Sequence, residues 1–215
     1  MENKSFYLFA GVNGVGKTTL FNAMNGNVKK SFRINSDEIV REIGKWDSET
    51  DQVKAAKIAV GLRNECMEKG NSFNEETTLT GKTILKLIDK VREKNYKLHL
   101  FYVGVGSPDI SKERIKKRVA DGGHHIPDEV VDKRYKESLK NFEKILKKFD
   151  NVVVYDNSVR FRTLLRIIDK KVIKIADDLP EWMENTINNN YKVLEVEVED
   201  FAFVRKETFK NFREI

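Results

Sequence analysis

The chain has 215 residues, of which 40% are hydrophobic and 34% are charged, and its formal net charge is +6. This length fits one domain with a modest appendage, and the hydrophobic content excludes a chain that is disordered throughout. Because the lysines are interspersed with acidic residues along predicted helices, as on solvated helix faces, we do not expect nucleic-acid binding.

The only cysteine and the N-terminal apolar run bear on the compartment. Cys66 has no partner for an internal disulfide, and we interpret it as a small core residue. The apolar run at residues 6–10 is too short for the core of a signal peptide or for a membrane span. We therefore expect a cytoplasmic protein that has no membrane partner.

The first half of the chain alternates short apolar runs with amphipathic stretches, which is typical of a parallel sheet covered by helices. Strands are predicted at residues 5–10, 32–35 and 72–76. Helices are predicted at residues 17–25, from residue 36, from residue 48 to Gly70, and around residues 84–95. In the long helix before Gly70, we expect one face to be buried through Val53, Ala56, Val60 and Met67.

The second half continues the alternation and then changes character. Strands are predicted at residues 98–105 and 152–155, and helices at residues 110–121 and from Pro127. We interpret an apolar stripe on the last helix as core: Val131, Tyr135, Leu139, Phe142, Leu146 and Phe149. Later segments are predicted as a β-rich run at 161–168, a hairpin partner at 172–175, a helix start at 180–182 and a strand-like run at 193–198.

These elements predict a three-layer α/β fold with a central parallel sheet. We assign residues 1–158 to this domain, and residues 159–215 to a C-terminal appendage.

The clearest motif is a phosphate-binding loop. Residues 11–18 match the pattern G-x-x-x-x-G-K-[ST] and lie between a predicted strand and a predicted helix, which is the context that this loop requires. We expect Lys17 to reach the β- and γ-phosphates of ATP, and Thr18 to bind Mg²⁺. The predicted ATP-binding residues are Gly11, Asn13, Gly14, Val15, Gly16, Lys17, Thr18 and Thr19.

A phosphate loop does not by itself separate kinases from GTPases, ATPases and switches. The sequence has no Asn-Lys-x-Asp segment to bind guanine, which weakens the GTPase hypothesis. The run Val-Val-Val-Tyr-Asp ending at Asp156 resembles a Walker B strand and favours an ATPase. Glu76, however, ends an earlier strand that is better placed to lie beside the first, so we interpret Asp156 as a loop residue after the last strand.

Several segments, in a fixed order, carry a more specific resemblance. They are residues 10–19, 35–37 (Asn-Ser-Asp), 73–79, 118–127, 134–135 (Arg-Tyr) and 155–158. This order resembles the zeta toxin family of P-loop kinases over residues 5–158, and especially its short stand-alone bacterial members. The resemblance implies a nucleotide-kinase-like fold and ATP-dependent phosphorylation of a hydroxyl group on a small molecule. The best-known acceptors of the family are UDP-N-acetyl amino sugars.

The resemblance also implies roles for individual residues. Asp37 matches the catalytic aspartate of the family, which orients or deprotonates the acceptor hydroxyl. Glu76 and Thr78 match a Glu-x-Thr pair that binds substrate and helps to hold the Mg²⁺ shell. Arg118 and Arg134 resemble catalytic arginines that close over the phosphates, for which a planar fork with a permanent charge is well suited.

Ordinary structural uses are the alternatives for these residue types. An acid suits the first turn of a helix, a threonine suits a turn, and an arginine suits a surface salt bridge. Arg114 is a further candidate for contacting the phosphates, beside Arg118 and Arg134. We interpret His124 and His125 as loop residues, because their spacing to Cys and acids does not form a metal site. Asn157 either contacts the nucleotide base or forms a turn.

Three classes of function follow from the sequence. The first is a kinase that uses ATP and Mg²⁺ to phosphorylate a small-molecule acceptor. The second is an ATPase or nucleotide-dependent switch, in which Asp156 would matter more than Asp37. The third is the toxin module of a toxin–antitoxin pair, with a small antitoxin protein as its partner.

Overall fold

Seven strands form one sheet in the computed structural model, which describes residues 4–190. In chain order they are β1 (Ser5–Ala10), β2 (Phe32–Ile34), β3 (Phe73–Thr77), β4 (Lys97–Gly104), β5 (Asn151–Asp156), β6 (Arg162–Ile168) and β7 (Lys171–Ile175). Their order across the sheet is β2-β3-β1-β4-β5-β6-β7. Strands β1 to β5 pair in parallel, whereas β6 and β7 are antiparallel additions at one edge. The predicted α/β fold with a central parallel sheet is confirmed.

Helices cover both faces of this sheet, which gives the three layers. They are α1 (Lys17–Ala23), α2 (Asn27–Lys30), α3 (Ser36–Ile43), α4 (Glu49–Lys69), α5 (Lys82–Glu93), α6 (Pro108–Ala120), α7 (Asp128–Ile145) with a 3₁₀ turn at Leu146–Lys148, and α8 (Glu181–Asn190). In β1, Phe6 and Leu8 enter one buried cluster, whereas Tyr7 and Phe9 enter the other. This separation follows from the alternation of side chains along a strand.

Polar side chains determine where the two helices after β2 begin. The side chain of Asn35 accepts a hydrogen bond from the backbone N–H of Asp37 at 2.9 Å, and the side chain of Ser48 accepts one from that of Asp51 at 3.2 Å. Each interaction satisfies an N–H group that the first helical turn leaves unpaired. Gly70 ends α4 in the left-handed conformation, as predicted.

The prediction of which face of α4 is buried is wrong. Val53 and Val60 are 49% and 44% exposed, and Ala56 is exposed as well. The buried residues of this helix are Ala55, Ala59, Cys66 and Met67, so only the last residue of the predicted face is in the core. Helix α4 has apolar residues on two sides, and its closely packed side carries alanines. Periodicity alone favoured the bulkier side chains.

The predicted hairpin beyond residue 158 forms and extends the same sheet. Helix α8 then packs back, and the ring of Trp182 lies so close to Gly104 on β4 that a Cβ there would come within 2.5 Å of it. The sheet is therefore continuous across residue 158, and the division of the chain into two domains stays a prediction. The strand-like run at residues 193–198 lies outside the described residues.

The placement of Asp156 differs from the prediction. It is the last residue of β5, not a loop residue, and two more strands follow it. Strand β4 separates β5 from β1, whereas β3 lies directly beside β1. Asp156 is buried and accepts hydrogen bonds from the backbone N–H and hydroxyl of Ser158 and from Arg162. These contacts give it a structural role at the base of the hairpin.

Within residues 4–190, no helix is long and apolar enough to span a bilayer.

The two sides of α4 differ in their expected response to substitution. Ala59→Leu should lower the free energy of unfolding by about 1–3 kcal/mol, because the packed side has no room for a larger side chain. Val60→Ser on the opposite side should change it by less than about 0.5 kcal/mol. Urea titrations followed by circular dichroism would measure both, and equal effects would contradict the observed orientation.

Candidate active site

The phosphate loop, residues 11–18, connects β1 to α1 through tight backbone turns. Gly11 has φ 140°, and a Cβ at this position would clash with the carbonyl oxygen of Val103. Gly16 is left-handed at φ 99° and directly precedes the first residue of α1. Both conformations favour glycine. The loop therefore leads directly into a helix N-terminus, where free N–H groups and the helix dipole favour an anion.

Lys17 begins α1 and is 7% exposed. Its Nζ donates to the backbone carbonyl of Val12 at 3.1 Å and lies 4.0 Å from Oε1 of Glu76. Burial lowers the pKa of this ammonium group, while the nearby carboxylates of Glu76 and Asp37 act in the opposite direction. The positive charge of Lys17 is thus held between the phosphate loop and two acids.

Glu76 brings a second element to the loop because β3 pairs with β1. Phe9 lies opposite Glu76 in the parallel register, so the ends of the two strands meet at one edge of the sheet. The hydroxyl of Thr18 donates to the two carboxylate oxygens of Glu76 at 3.0 and 3.1 Å. A hydroxyl and a carboxylate are the hard oxygen ligands that Mg²⁺ prefers, so this pair fits a magnesium shell.

Asp37 lies in the first turn of α3 and lines the same cavity as Lys17. Its backbone N–H is capped by Asn35, but within residues 4–190 its carboxylate accepts no hydrogen bond. Burial raises the pKa of Asp37, and Glu76 adds to this effect, whereas Lys17 opposes it. A partly buried carboxylate with a raised pKa and unused oxygen atoms is suited to accept a proton.

The two predicted catalytic arginines occupy different positions. Arg134, on α7, donates to the side-chain oxygen of Asn13 in the phosphate loop at 2.9 Å. Arg118, near the end of α6, donates to the backbone carbonyl of His124 at 3.3 Å. Burial lowers the pKa of Arg118, and Asp37 partly offsets this effect. Arg134 thus contacts the loop directly, while Arg118 is held by the connection between α6 and α7.

A cavity of about 920 Å³ joins most of these residues. Its lining includes Asn13, Lys17, Asp37, Glu76, Thr78 and Arg134, whereas Arg118 is not among the lining residues. The hydroxyl of Thr78 lies 2.9 Å from that of Thr80. Thr18 and Thr19 are exposed on the first turn of α1.

Sequence reasoning missed several side chains in the cavity wall. Arg63, on α4, forms a bidentate ion pair with the buried Glu75, with donor–acceptor distances of 2.5 and 2.8 Å. Trp46, between α3 and α4, stacks on His124 with a ring separation of 3.9 Å. Burial and the charge of Arg118 lower the pKa of His124 to about 4. The stacked rings connect two walls of the cavity, and no spacing in the sequence points to this contact.

Asn157 and Arg114 support the phosphate loop from behind. The side-chain amide of Asn157 donates to the backbone carbonyl of Val15 at 2.9 Å. Arg114 donates to the backbone carbonyls of Asn157 and Ser158 at 2.8 and 3.2 Å. The amide of Asn157 is thus engaged by the loop backbone, and Arg114 holds the segment that follows β5.

These features define a P-loop protein with a kinase-like fold: the parallel sheet, the phosphate loop, Glu76 near the end of β3 and Asp37 in the first turn of α3. Residues 1–165 match the family model of the zeta toxin. The chain belongs to the zeta toxin family, as its motifs predict.

Three similar proteins show the range of the resemblance. An uncharacterized protein of Haemophilus influenzae is 33% identical over 135 residues, which are 63% of this chain and 94% of the relative. A structure from the PezAT toxin–antitoxin system of Streptococcus pneumoniae has a TM-score of 0.56 at 17% identity and covers 100% of this chain and 86% of that chain. A structure of AvrRxo1-ORF1:-ORF2 with ATP has a TM-score of 0.64 at 15% identity. The match covers 93% of this chain and 67% of that chain. At such identities, these two structures show the fold alone.

The position of Lys17 predicts a strong effect on nucleotide binding. Lys17→Ala should weaken ATP binding at least about tenfold, because a charge-assisted contact to the phosphates is lost. Isothermal titration calorimetry with Mg·ATP measures this, and Lys54→Ala on the exposed surface of α4 is the control. Equal ATP affinity in the wild type and the Lys17 variant would contradict the assignment.

Proposed function

We propose that this protein is an ATP-dependent kinase that transfers the γ-phosphate to a hydroxyl group of a small molecule. The observation that carries the proposal is the position of Asp37, a carboxylate with free oxygen atoms in the same cavity as Lys17 of the phosphate loop. Phosphoryl transfer needs a bound phosphate and a group that orients the attacking hydroxyl. In the proposal, Lys17 and Asp37 meet these two requirements from within one cavity.

The proposed mechanism assigns one task to each side chain. Lys17 leaves the carbonyl of Val12 and binds the β- and γ-phosphates, while Thr18 and Glu76 hold the magnesium shell. When bound there, Mg²⁺ would supply positive charge to offset the charge that develops on the phosphate oxygens. The oxygen of the acceptor hydroxyl attacks the γ-phosphorus, and ADP leaves. Asp37 accepts the proton of that hydroxyl. Arg134 reaches the transferred phosphoryl group from α7, next to the phosphate loop, and Arg118 closes over the same group from the end of α6.

We further propose a UDP-N-acetyl amino sugar as the acceptor, because the chain belongs to the zeta toxin family. A cavity of about 920 Å³ is at the upper end of the range for small-molecule sites, so it has room for an acceptor beside the phosphates. Thr78 would bind this acceptor from the segment after β3. Because ATP is the phosphate donor, the reaction is proposed to occur in the cytoplasm.

A small antitoxin protein is the proposed partner. The support comes from the family and from the fold, which is similar to that of a structure from the PezAT toxin–antitoxin system. The AvrRxo1-ORF1 structures likewise contain a second protein, ORF2. Inhibition of the kinase by the product of an adjacent small reading frame would support this partner.

Asp37→Asn tests the kinase mechanism. The variant should bind Mg·ATP like the wild type, but it should lose phosphorylation of the acceptor on the order of a hundredfold, because the proton acceptor is removed. Phosphorus NMR of reactions with a panel of UDP-sugars would measure the new phosphomonoester. Asp177→Asn, which alters an exposed acid that does not line this cavity, is the control and should retain activity.

The same assay separates the kinase from an ATPase. If Asp156→Asn abolished nucleotide turnover while Asp37→Asn had no effect, the ATPase hypothesis would replace the proposal.

The arginines should affect the transition state more than they affect bound ATP. Arg118→Ala and Arg134→Ala should lower kcat at least about tenfold with little change in ATP affinity, because charge develops on the transferred group during the reaction. Steady-state kinetics and calorimetry on the same samples give both quantities. Lys116→Ala, an exposed position on α6, is the control. Parallel losses of affinity and turnover would instead indicate simple binding.

A further inference from the structure

Arg33 extends from β2, and its guanidinium group contacts four side chains: Glu38, Glu76, Asn74 and Phe21. Its Nε and one terminal nitrogen donate to Glu38 at 2.7–3.0 Å, and the same terminal nitrogen donates to Glu76 at 3.2 Å. The other terminal nitrogen donates to the side-chain oxygen of Asn74 at 3.4 Å. The Cζ atom of the guanidinium lies over the ring of Phe21 on α1, 3.8 Å from its centroid. One side chain thereby links α1, α3 and β3.

This arrangement fixes the orientation of Arg33 before any ligand binds. The planar fork matches the carboxylate of Glu38, and the positive charge lies over the aromatic ring of Phe21. A lysine could provide the charge but not the fork, because an ammonium group is a point charge on a flexible stem. Arg33 is therefore a rigid donor, and Glu76 accepts from it.

The position of the Glu76 carboxylate depends more on Arg33 once the nucleotide is bound. Its carboxylate has four polar neighbours: Thr18, Arg33, Asn35 and, at 4.0 Å, Lys17. In the proposed mechanism, Lys17 is drawn to the phosphates of ATP. Arg33 then remains the one described cation within 4.0 Å of Glu76.

We propose that Arg33 is the positioning residue that holds Glu76 beside Thr18, and that it thereby sets the affinity of the ATP complex for its divalent cation. The inference rests on the proposed function, in which Glu76 and Thr18 hold the magnesium shell. Arg33 itself touches neither the metal nor the nucleotide. It acts as the outer partner of a carboxylate, and the loss of such partners weakens metal binding.

The neighbouring residue of β3 provides a matched control. Glu75 forms an ion pair with Arg63, just as Glu76 does with Arg33, and both acids line the cavity, but within residues 4–190 the hydroxyl of Thr18 donates to Glu76 and not to Glu75. Removing either arginine takes an arginine partner from a poorly exposed carboxylate, so both Arg33→Ala and Arg63→Ala should lower the melting temperature. The inference requires that only Arg33→Ala weakens metal binding.

Electron paramagnetic resonance of Mn²⁺ in the presence of saturating ATP tests this requirement. Arg33→Ala should bind Mn²⁺ about tenfold more weakly than the wild type or worse, the range for loss of an outer-shell partner. Its affinity for metal-free ATP, measured in EDTA, should be unchanged. Arg63→Ala should show no weakening of Mn²⁺ binding.

Chemical rescue separates positioning from general damage. Guanidinium chloride at millimolar concentration should restore Mn²⁺ affinity to Arg33→Ala, whereas sodium chloride should not. Glu38→Gln, which removes the carboxylate that orients Arg33, should give an intermediate loss. If Arg33→Ala does not fold, Arg33→Lys provides the same test, and it too should bind Mn²⁺ more weakly than the wild type.

Unchanged Mn²⁺ affinity in the Arg33 variant that folds would overturn the inference, as would equal weakening in the Arg33 and Arg63 variants. Failure of the proposed function is distinguishable, because it would appear in the wild type as an absence of phosphoryl transfer. A difference between the arginine variants would still be measured in that case.

Discussion

The parallel pairing of β1 with β3 is the constraint on which the site depends. It places Ala10 opposite Thr77, and the backbone N–H of Gly11 continues the ladder by donating to the carbonyl of Thr77 at 3.2 Å. The phosphate loop and the end of β3 are therefore fixed to each other by backbone hydrogen bonds. Because β2 pairs in turn with β3, the acids of α3 arrive at the same edge. Ligands of open parallel sheets bind at this carboxyl edge.

The two carboxylates at this edge, Glu76 and Asp37, have different surroundings, and the proposed mechanism gives them different roles. Glu76 accepts hydrogen bonds from Thr18, Arg33 and Asn35, so its oxygens are oriented. Asp37, by contrast, has a carboxylate that accepts no hydrogen bond within the described part of the chain, and burial raises its pKa. Two carboxylates in different environments can divide metal binding and proton transfer between them.

Local patterns predicted the fold and the loop, whereas contacts between distant residues could not be predicted. Lys17 and Thr18 belong to a contiguous motif, and Glu76 ends a strand that is recognisable on its own. The Arg33–Glu76 and Arg63–Glu75 pairs depend on which strands and helices become neighbours, and no sequence spacing encodes that choice. The same limit explains the error on α4, where two apolar sides compete and only tertiary packing selects the one with Ala59.

The floor and the walls of the cavity come from different parts of the fold. The floor consists of the phosphate loop and the end of β3, which backbone pairing fixes. The walls are long excursions between strands: α3 and α4 lie between β2 and β3, and α6 and α7 lie between β4 and β5. Trp46 and His124 meet at a contact between these two excursions. In the proposed kinase, the floor holds the phosphates, whereas the walls supply Asp37 and Arg134 for phosphoryl transfer and line the space for the acceptor.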